Sequence, residues 1–118
     1  MDLNFKNSRN KPHILVVECE ELLGEGLCCG LRHYNYSVDW VKDDLSAWPL
    51  LLSKRFDVII LDLDLLRMLG EDLLKNIRLK NITTPIIVMS SCDDIHNRVR
   101  SLDLGADYVS NMLYTTYC

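Results

Sequence analysis

The chain has 118 residues, a net charge of −4 and a sequence pI near 5.2. This length suits one domain, and the 13 Lys and Arg residues are scattered, which argues against direct nucleic-acid binding. The apolar runs are far shorter than the roughly 20 residues that span a bilayer. The polar segment 1–11 lacks the apolar core of a signal peptide. We therefore expect a soluble, cytoplasmic, non-membrane protein.

Apolar runs of strand length alternate with segments of helical periodicity. We predict strands at 13–18, 36–41, 57–62, 85–90 and 107–111, and helices at 21–33, 44–54, 70–80 and 93–103. Short connections between such elements favour right-handed βαβ units and a parallel sheet. Residues 112–118 are too few for a full covering helix, so we expect the sheet face beside helix 21–33 to be partly bare and to favour self-association.

Three of the predicted strands run directly into a polar side chain. These side chains are Glu18, Asp62 and Ser90. Ligands of parallel sheets bind outside the carboxyl ends of the strands. Two carboxylates and a hydroxyl at that edge therefore indicate a site for a cation and a phosphoryl group.

The cysteine and histidine patterns are uninformative by comparison. Five cysteines without CxxC spacing predict reduced thiols, with neither a disulfide framework nor a structural zinc site. Cys19 and Cys92 both follow predicted strands on the same edge, which leaves a redox-sensing interpretation open. Nearby carboxylates would disfavour the thiolate that such a role needs. The three histidines stand alone and are expected to be surface or packing residues.

Three segments together resemble the receiver domain of two-component response regulators, with the OmpR/PhoB-like regulators as the most similar subfamily. They are LVVECEELLGEGL from Leu15, FDVIILDL from Phe56 and NRVRSLDLGADY from Asn97. The resemblance implies a CheY-like, flavodoxin-like α/β fold. Its doubly wound, parallel five-stranded sheet would have the order 2-1-3-4-5, with a last helix that is short or missing. We assign residues 1–11 to a polar extension and 12–118 to a receiver domain, without an output domain.

The resemblance also implies roles for individual residues. Asp62 falls on the aspartate that accepts a phosphoryl group from a histidine kinase, Ser90 on the switch hydroxyl and Tyr108 on the switch aromatic. A Mg²⁺ ion would be held by Glu18, by Asp62 and by the backbone carbonyl of Asp64. The side chains of Glu20 and Asp64 are candidate replacement oxygen ligands.

Departures from the family pattern fall on the charges that phosphoryl transfer requires. Cys19 stands in place of the direct metal-ligating aspartate, and a thiol is a poor ligand for Mg²⁺. Asn111 stands in place of the usual lysine, and an amide supplies no positive charge. The loop and the following segment also differ from the pattern at Leu66, Leu69 and Met112. We expect a Mg²⁺ site that is weak or absent.

Simpler structural roles remain open for several of these residues. Glu18, Glu20 and Glu21 would also favour the dipole of the following helix without any metal. Ser90 would also satisfy local backbone groups, and Asp62 would also serve as a turn residue.

Two functions follow from the resemblance, neither of them enzymatic. The first is an atypical, phosphorylation-independent receiver that forms dimers or higher oligomers through helix 93–103 and strand 107–111, near Arg98, Arg100, Asp103 and Asp107. The second is a conventional receiver that is phosphorylated on Asp62 by a sensor histidine kinase with Mg²⁺. We favour the first, because the substitutions at Cys19 and Asn111 both remove compensating charge.

Overall fold

The computed structural model describes residues 11–63, 67–90 and 95–110, with the backbone alone described at 67–70 and 95–97. Five parallel strands form one sheet in the order β2-β1-β3-β4-β5. The strands are β1 (His13–Val17), β2 (Ser37–Val41), β3 (Val58–Asp62), β4 (Ile86–Met89) and β5 (Tyr108–Ser110). The helices are α1 (Glu21–His33), α2 (Asp44–Ser53), α3 (Arg67–Leu79) and α4 (Ile95–Leu104). The predicted fold class and strand order are confirmed.

Alternate side chains of each strand enter two separate cores, one on each face of the sheet. Leu15, Ile59 and Val88 are fully buried in the core with Ala47 of α2 and Leu74 of α3. The other core, on the α1 side, contains the buried residues Ile14, Val16, Cys28, Val38, Ile60 and Met89. Burial on both faces explains why the strands read as continuous apolar runs instead of alternating patterns.

Polar side chains and left-handed residues mark the helix ends. Glu20 caps α1 by accepting a hydrogen bond from Leu23 N at 3.0 Å, and Asp43 caps α2 through Ser46 N at 2.7 Å. After α1 and α3 the chain reverses at Asn35 (φ 69°) and Asn81 (φ 63°), a conformation that asparagine tolerates well. These signals hold most element boundaries close to the predicted positions.

The largest boundary difference is at the start of α3. The sequence predicts this helix from residue 70, whereas it begins at Arg67 and includes Gly70. The apolar run before Gly70 has no helical periodicity, so its backbone conformation is set by its surroundings and not by its own pattern.

On the α1 side of the sheet, burial varies from residue to residue. Val16 and Met89 are buried, Ile87 is partly exposed and Tyr108 is 60% exposed. Residues 111–118, on which the predicted bare face depends, lie outside the described residues. A partly bare face therefore stays a prediction.

Candidate phosphoryl-acceptor site

The three polar side chains singled out by the sequence follow neighbouring strands at one edge of the sheet. Val17 of β1 pairs with Leu61 of β3, and Asp62 pairs with Met89 of β4. Glu18, Asp62 and Ser90 therefore lie side by side at the carboxyl edge. Their exposed fractions are 0%, 1% and 3%. This edge is the switch point of the strand order, where ligands of such sheets bind.

Glu18 is held in place through its backbone and through one carboxylate oxygen. Its N–H donates to Val41 O at 3.0 Å, and its carbonyl accepts from the indole Nε1 of Trp40 at 2.9 Å. Its Oε2 accepts from Glu20 N at 2.9 Å. Oε1 is buried, and no amide, hydroxyl or cationic donor among the described residues bonds to it. The side chain is thus fixed within the site, and its carboxyl group lies against that of Asp62.

The indole of Trp40 reaches Glu18 because α1 approaches β2 closely at Gly24. A Cβ atom at residue 24 would overlap the Trp40 ring, so a side chain larger than that of glycine does not fit there. The sequence analysis missed this Trp40 contact. A tryptophan on a strand beside a glycine-containing helix is the signal that would have pointed to it.

The surroundings of the Glu18 carboxyl group favour its protonated form. Burial, followed by its hydrogen-bonding contact with the Asp62 carboxyl group and by the negative charges of Asp62 and Glu20, raises its pKa from 4.5 to about 9. Two buried carboxyl groups in contact cannot both ionise cheaply. As the site stands, a proton on Glu18 reduces the negative charge that surrounds Asp62.

Cys19 and Glu20 follow Glu18 and are both exposed. Desolvation, and then the negative charges of Glu18 and Asp62, raise the pKa of the Cys19 thiol above its usual value. The thiol is therefore held in its protonated, less reactive form. The Glu20 carboxylate accepts from Leu23 N, so it serves the start of α1.

The other predicted site residues are only partly described. The Ser90 N–H donates to Ser110 O at 2.8 Å, which ties the end of β4 to β5. Tyr108 lies on β5 and is largely exposed. The backbone of Leu69 belongs to α3. The positions of Asp64, Leu66, Cys92, Asn111 and Met112 lie outside the described residues.

A Mg²⁺ ion requires several oxygen ligands in near-octahedral geometry. Within 11–63, 67–90 and 95–110, no group of three His, Cys, Asp or Glu side chains is arranged to hold a metal. The raised pKa of Glu18 disfavours the charged form that a cation would bind, and Cys19 next to it carries a thiol instead of an oxygen.

No helix in the described part of the chain is long and apolar enough to cross a membrane.

Solved structures of receiver domains share this fold. The Francisella response regulator 1452 receiver domain is 26% identical with a TM-score of 0.79, and the match covers 86% of this chain and 85% of that one. A response regulator from Burkholderia pseudomallei, solved with a phosphorylated aspartic acid, a calcium ion and citrate, is 25% identical with a TM-score of 0.74. That match covers 86% of this chain and 60% of the other. Receiver domains commonly bind Mg²⁺ or Ca²⁺ at the phosphorylation site.

Curated relatives are longer regulators. Response regulator protein PmrA of Pseudomonas aeruginosa is 39% identical over 80% of this chain and 42% of its own length. Transcriptional regulatory protein QseB of Escherichia coli O157:H7 is 37% identical over 80% of this chain and 43% of its own length. The chain thus spans about two fifths of the length of these relatives. The model of the response regulator receiver domain matches residues 14–110, and the chain belongs to this family of two-component signalling proteins.

Proposed function

We propose that the chain is an atypical receiver domain that signals by homodimerisation or protein interaction without phosphorylation. In this proposal residues 12–118 form the receiver and residues 1–11 a polar extension. Transcription would be regulated through a DNA-binding domain outside this chain, in keeping with the names and lengths of relatives such as transcriptional regulatory protein QseB.

The observation that supports this proposal most directly is the pair of buried acids, Glu18 and Asp62, which are 0% and 1% exposed. Phosphoryl transfer to a carboxylate brings negative charge onto negative charge, and it proceeds only where cations compensate. Here burial and the Asp62 carboxyl group raise the pKa of Glu18 and so favour a proton on this pair, and the pKa of the Cys19 thiol is raised as well. By sequence, Asn111 contributes an amide where the family has a lysine. The site therefore favours a neutral resting state over attack on phosphorus.

A surface on α4 and β5 supports the dimerisation part of the proposal. Val99, Leu102 and Tyr108 are exposed by 53%, 48% and 60%. Arg98 is partly exposed and Asp103 is exposed beside them. An apolar centre with charges of both signs at its rim suits an interface between two copies.

Two charged residues of the predicted interface are already paired within the chain. Arg100 Nε bonds to Glu71 Oε2 at 2.9 Å, and the Asp107 carboxylate bonds to Arg78 Nη2 at 2.7 Å. We therefore assign the ionic part of a dimer interface to Arg98 and Asp103, with Val99, Leu102 and Tyr108 between them.

A conventional receiver is the second candidate function. Asp62 ends β3 and Ser90 follows β4 at the switch point, and the resemblance to the family implies that they are the phosphoryl acceptor and the switch hydroxyl. In this case a histidine kinase would phosphorylate Asp62 and a cation would bind beside it. Glu18 would first have to lose its proton.

Intact-mass spectrometry distinguishes the two candidates. After incubation with Mg²⁺ and acetyl phosphate, we expect no gain of about 80 Da, the mass of one phosphoryl group. If the unaltered chain gains this mass and the Asp62→Ala variant does not, the conventional function is established and the proposal is overturned.

Two substitutions that restore the family residues test whether the missing charges prevent phosphorylation. The double variant Cys19→Asp, Asn111→Lys returns the missing oxygen ligand and the missing positive charge. We expect this variant to gain about 80 Da and to lose the label when Asp62→Ala is added. An unlabelled double variant would contradict the charge explanation.

A further inference from the structure

Helix α2 has more apolar surface than the sheet can cover. Its sequence DLSAWPLLLS is apolar on almost every side, and Ala47 and Leu51 already face the core. Leu45 and Leu52 point away from it and are 79% and 67% exposed. A helix that is apolar all round is normally buried on all sides. The outer face of α2 therefore lacks a covering element among the described residues.

The exposed face of α2 continues into a groove against α3. Trp48 and Leu52 of α2 form one wall, and Asn76, Leu79 and Lys80 form the other. The groove has a volume of about 560 Å³, and Leu79 is 68% exposed. Contiguous apolar surface of this kind marks interaction sites in soluble proteins. The groove lies on the flank of the sheet away from the α4–β5 surface.

Opposite charges lie at the two ends of this groove. Asp44 begins α2 one turn before Trp48, on the same side of the helix, and is partly exposed. Lys80 follows the last turn of α3 and is exposed. Because α2 and α3 both return from the carboxyl to the amino edge of the sheet, they run in the same direction. Asp44 and Lys80 therefore lie at opposite ends.

This arrangement is complementary to itself. A twofold axis through the centre of the groove reverses the second copy, so that Asp44 of one copy lies opposite Lys80 of the other, twice. The same rotation brings Leu45 and Leu52 of each copy over the groove of its partner. Specific interfaces commonly combine an apolar centre with complementary charges at the rim.

We propose that the α2–α3 groove, formed by Trp48, Leu52, Asn76, Leu79 and Lys80, binds the same groove of a second copy of this chain. This contact is separate from the α4–β5 surface of the proposed function. A chain with two twofold interfaces on different flanks assembles beyond the dimer, because each interface is satisfied by a different neighbour.

Sedimentation velocity on four chains tests the inference. Leu52→Asp removes the groove contact, Val99→Asp removes the α4–β5 contact, and the double variant removes both. We expect species larger than dimers for the unaltered chain, dimers for each single variant and monomers for the double variant. If the groove contact exists but the α4–β5 contact of the proposed function does not, the unaltered chain is a dimer. Val99→Asp then leaves it a dimer, and Leu52→Asp makes it a monomer.

A matched control distinguishes this contact from nonspecific association through an exposed leucine. Leu22 on α1 is 73% exposed, close to the 67% of Leu52, but lies outside the groove. Leu22→Asp should leave the sedimentation profile unchanged. If Leu52→Asp likewise leaves it unchanged, or if the unaltered chain is monomeric, the groove contact is refuted.

Charge exchange tests the predicted geometry. In the Val99→Asp background, Asp44→Lys or Lys80→Asp alone should raise the dissociation constant about tenfold, the equivalent of 1.4 kcal/mol. The two reversals together should restore it, because each lysine then faces an aspartate again. Additive weakening in the double reversal would overturn the twofold arrangement, and circular dichroism confirms that each variant is folded.

Discussion

Glu18 is the described residue whose raised pKa most directly opposes phosphoryl transfer in our proposal. A buried carboxylate beside a second one is costly, and a bound proton is the simplest compensation when no cation is supplied. A protonated Glu18 lacks the negative charge that a hard cation would bind. Glu18 thus links the substitution at Cys19 to the predicted loss of phosphorylation.

The raised pKa of Glu18 predicts a dependence of stability on pH. Between pH 4.5 and about 9 the unfolded chain releases this proton while the folded chain keeps it, so the free energy of unfolding falls as pH rises. The contribution is at most about 1.4 kcal/mol per pH unit. Glu18→Gln should flatten the dependence and be more stable than the unaltered chain at pH 8. Urea denaturation from pH 5 to 9 measures this.

Glu25→Gln is the matched control, because Glu25 is an exposed glutamate on α1. This substitution removes the same charged group at a position outside the site. The free energy of unfolding should therefore depend on pH as it does in the unaltered chain. Equal slopes for the unaltered chain and Glu18→Gln would show that Glu18 is ionised in the folded protein.

Asp62→Asn should lower the pKa of Glu18. The contact with Asp62 and its charge are causes of the raised pKa, but burial is the larger cause and remains. We therefore expect a partial shift toward the usual value. Carboxyl ¹³C NMR titration, with the Glu18 signal assigned from Glu18→Gln, measures it. Asp72→Asn on the exposed side of α3 is the control, and an unmoved titration in Asp62→Asn would refute the contact between the two acids.

Among the elements, α1 and β2 approach each other closely at Gly24. Gly24→Ala would drive a Cβ atom into the Trp40 ring, which is fixed by its bond to Glu18 O. We expect a loss of about 1–3 kcal/mol in the free energy of unfolding. Gly26→Ala on the same helix meets nothing within 4 Å and should gain up to about 1 kcal/mol from helix propensity. Denaturant curves that show equal effects would contradict this packing.

Arg78 joins three elements at the amino edge of the sheet. Its guanidinium donates to Gly105 O at 2.9 Å, to Ile82 O at 2.9 Å and to Thr84 O at 2.8 Å, and it pairs with Asp107. It thereby fixes the end of α3 to the connections that lead into β4 and β5.

Arg78→Ala should cost about 2–3 kcal/mol, because three carbonyl groups lose their donor, whereas the 56% exposed Asp107 carboxylate still accepts from Ile86 N. Arg100→Ala is the control, since its pair with Glu71 is 63% exposed on the arginine side and worth at most about 1 kcal/mol. Thermal unfolding compares the two variants. A milder effect at Arg78 than at Arg100 would show that this network is dispensable.

The helices and strands were predictable where the sequence pattern that specifies them is local. Buried strands and capped helices leave apolar runs and terminal polar residues that the sequence displays directly, as at Glu20 and Asn35. The convergence of Glu18, Asp62 and Ser90 followed from the parallel sheet alone. The bond of Trp40 to Glu18 and the network of Arg78 were not predictable. Glu18 lies 22 residues from Trp40, and Gly105 and Asp107 lie 27 and 29 residues from Arg78, so these contacts leave no periodic signal.

The whole molecule combines the receiver sheet with two exposed apolar surfaces that we propose as contacts between chains. One lies on α4 and β5 around Val99, and the other lies in the α2–α3 groove around Leu52. Neither touches the acid pair at Glu18 and Asp62. Our proposal therefore predicts that assembly does not require a change at the phosphorylation site.

The most direct test of the central claim is whether assembly depends on Asp62. Sedimentation velocity should give the same oligomers for the chain alone, for the chain with Mg²⁺ and acetyl phosphate, and for Asp62→Ala. A chain that is monomeric alone, and that assembles only with the phosphodonor and only when Asp62 is present, would contradict the account.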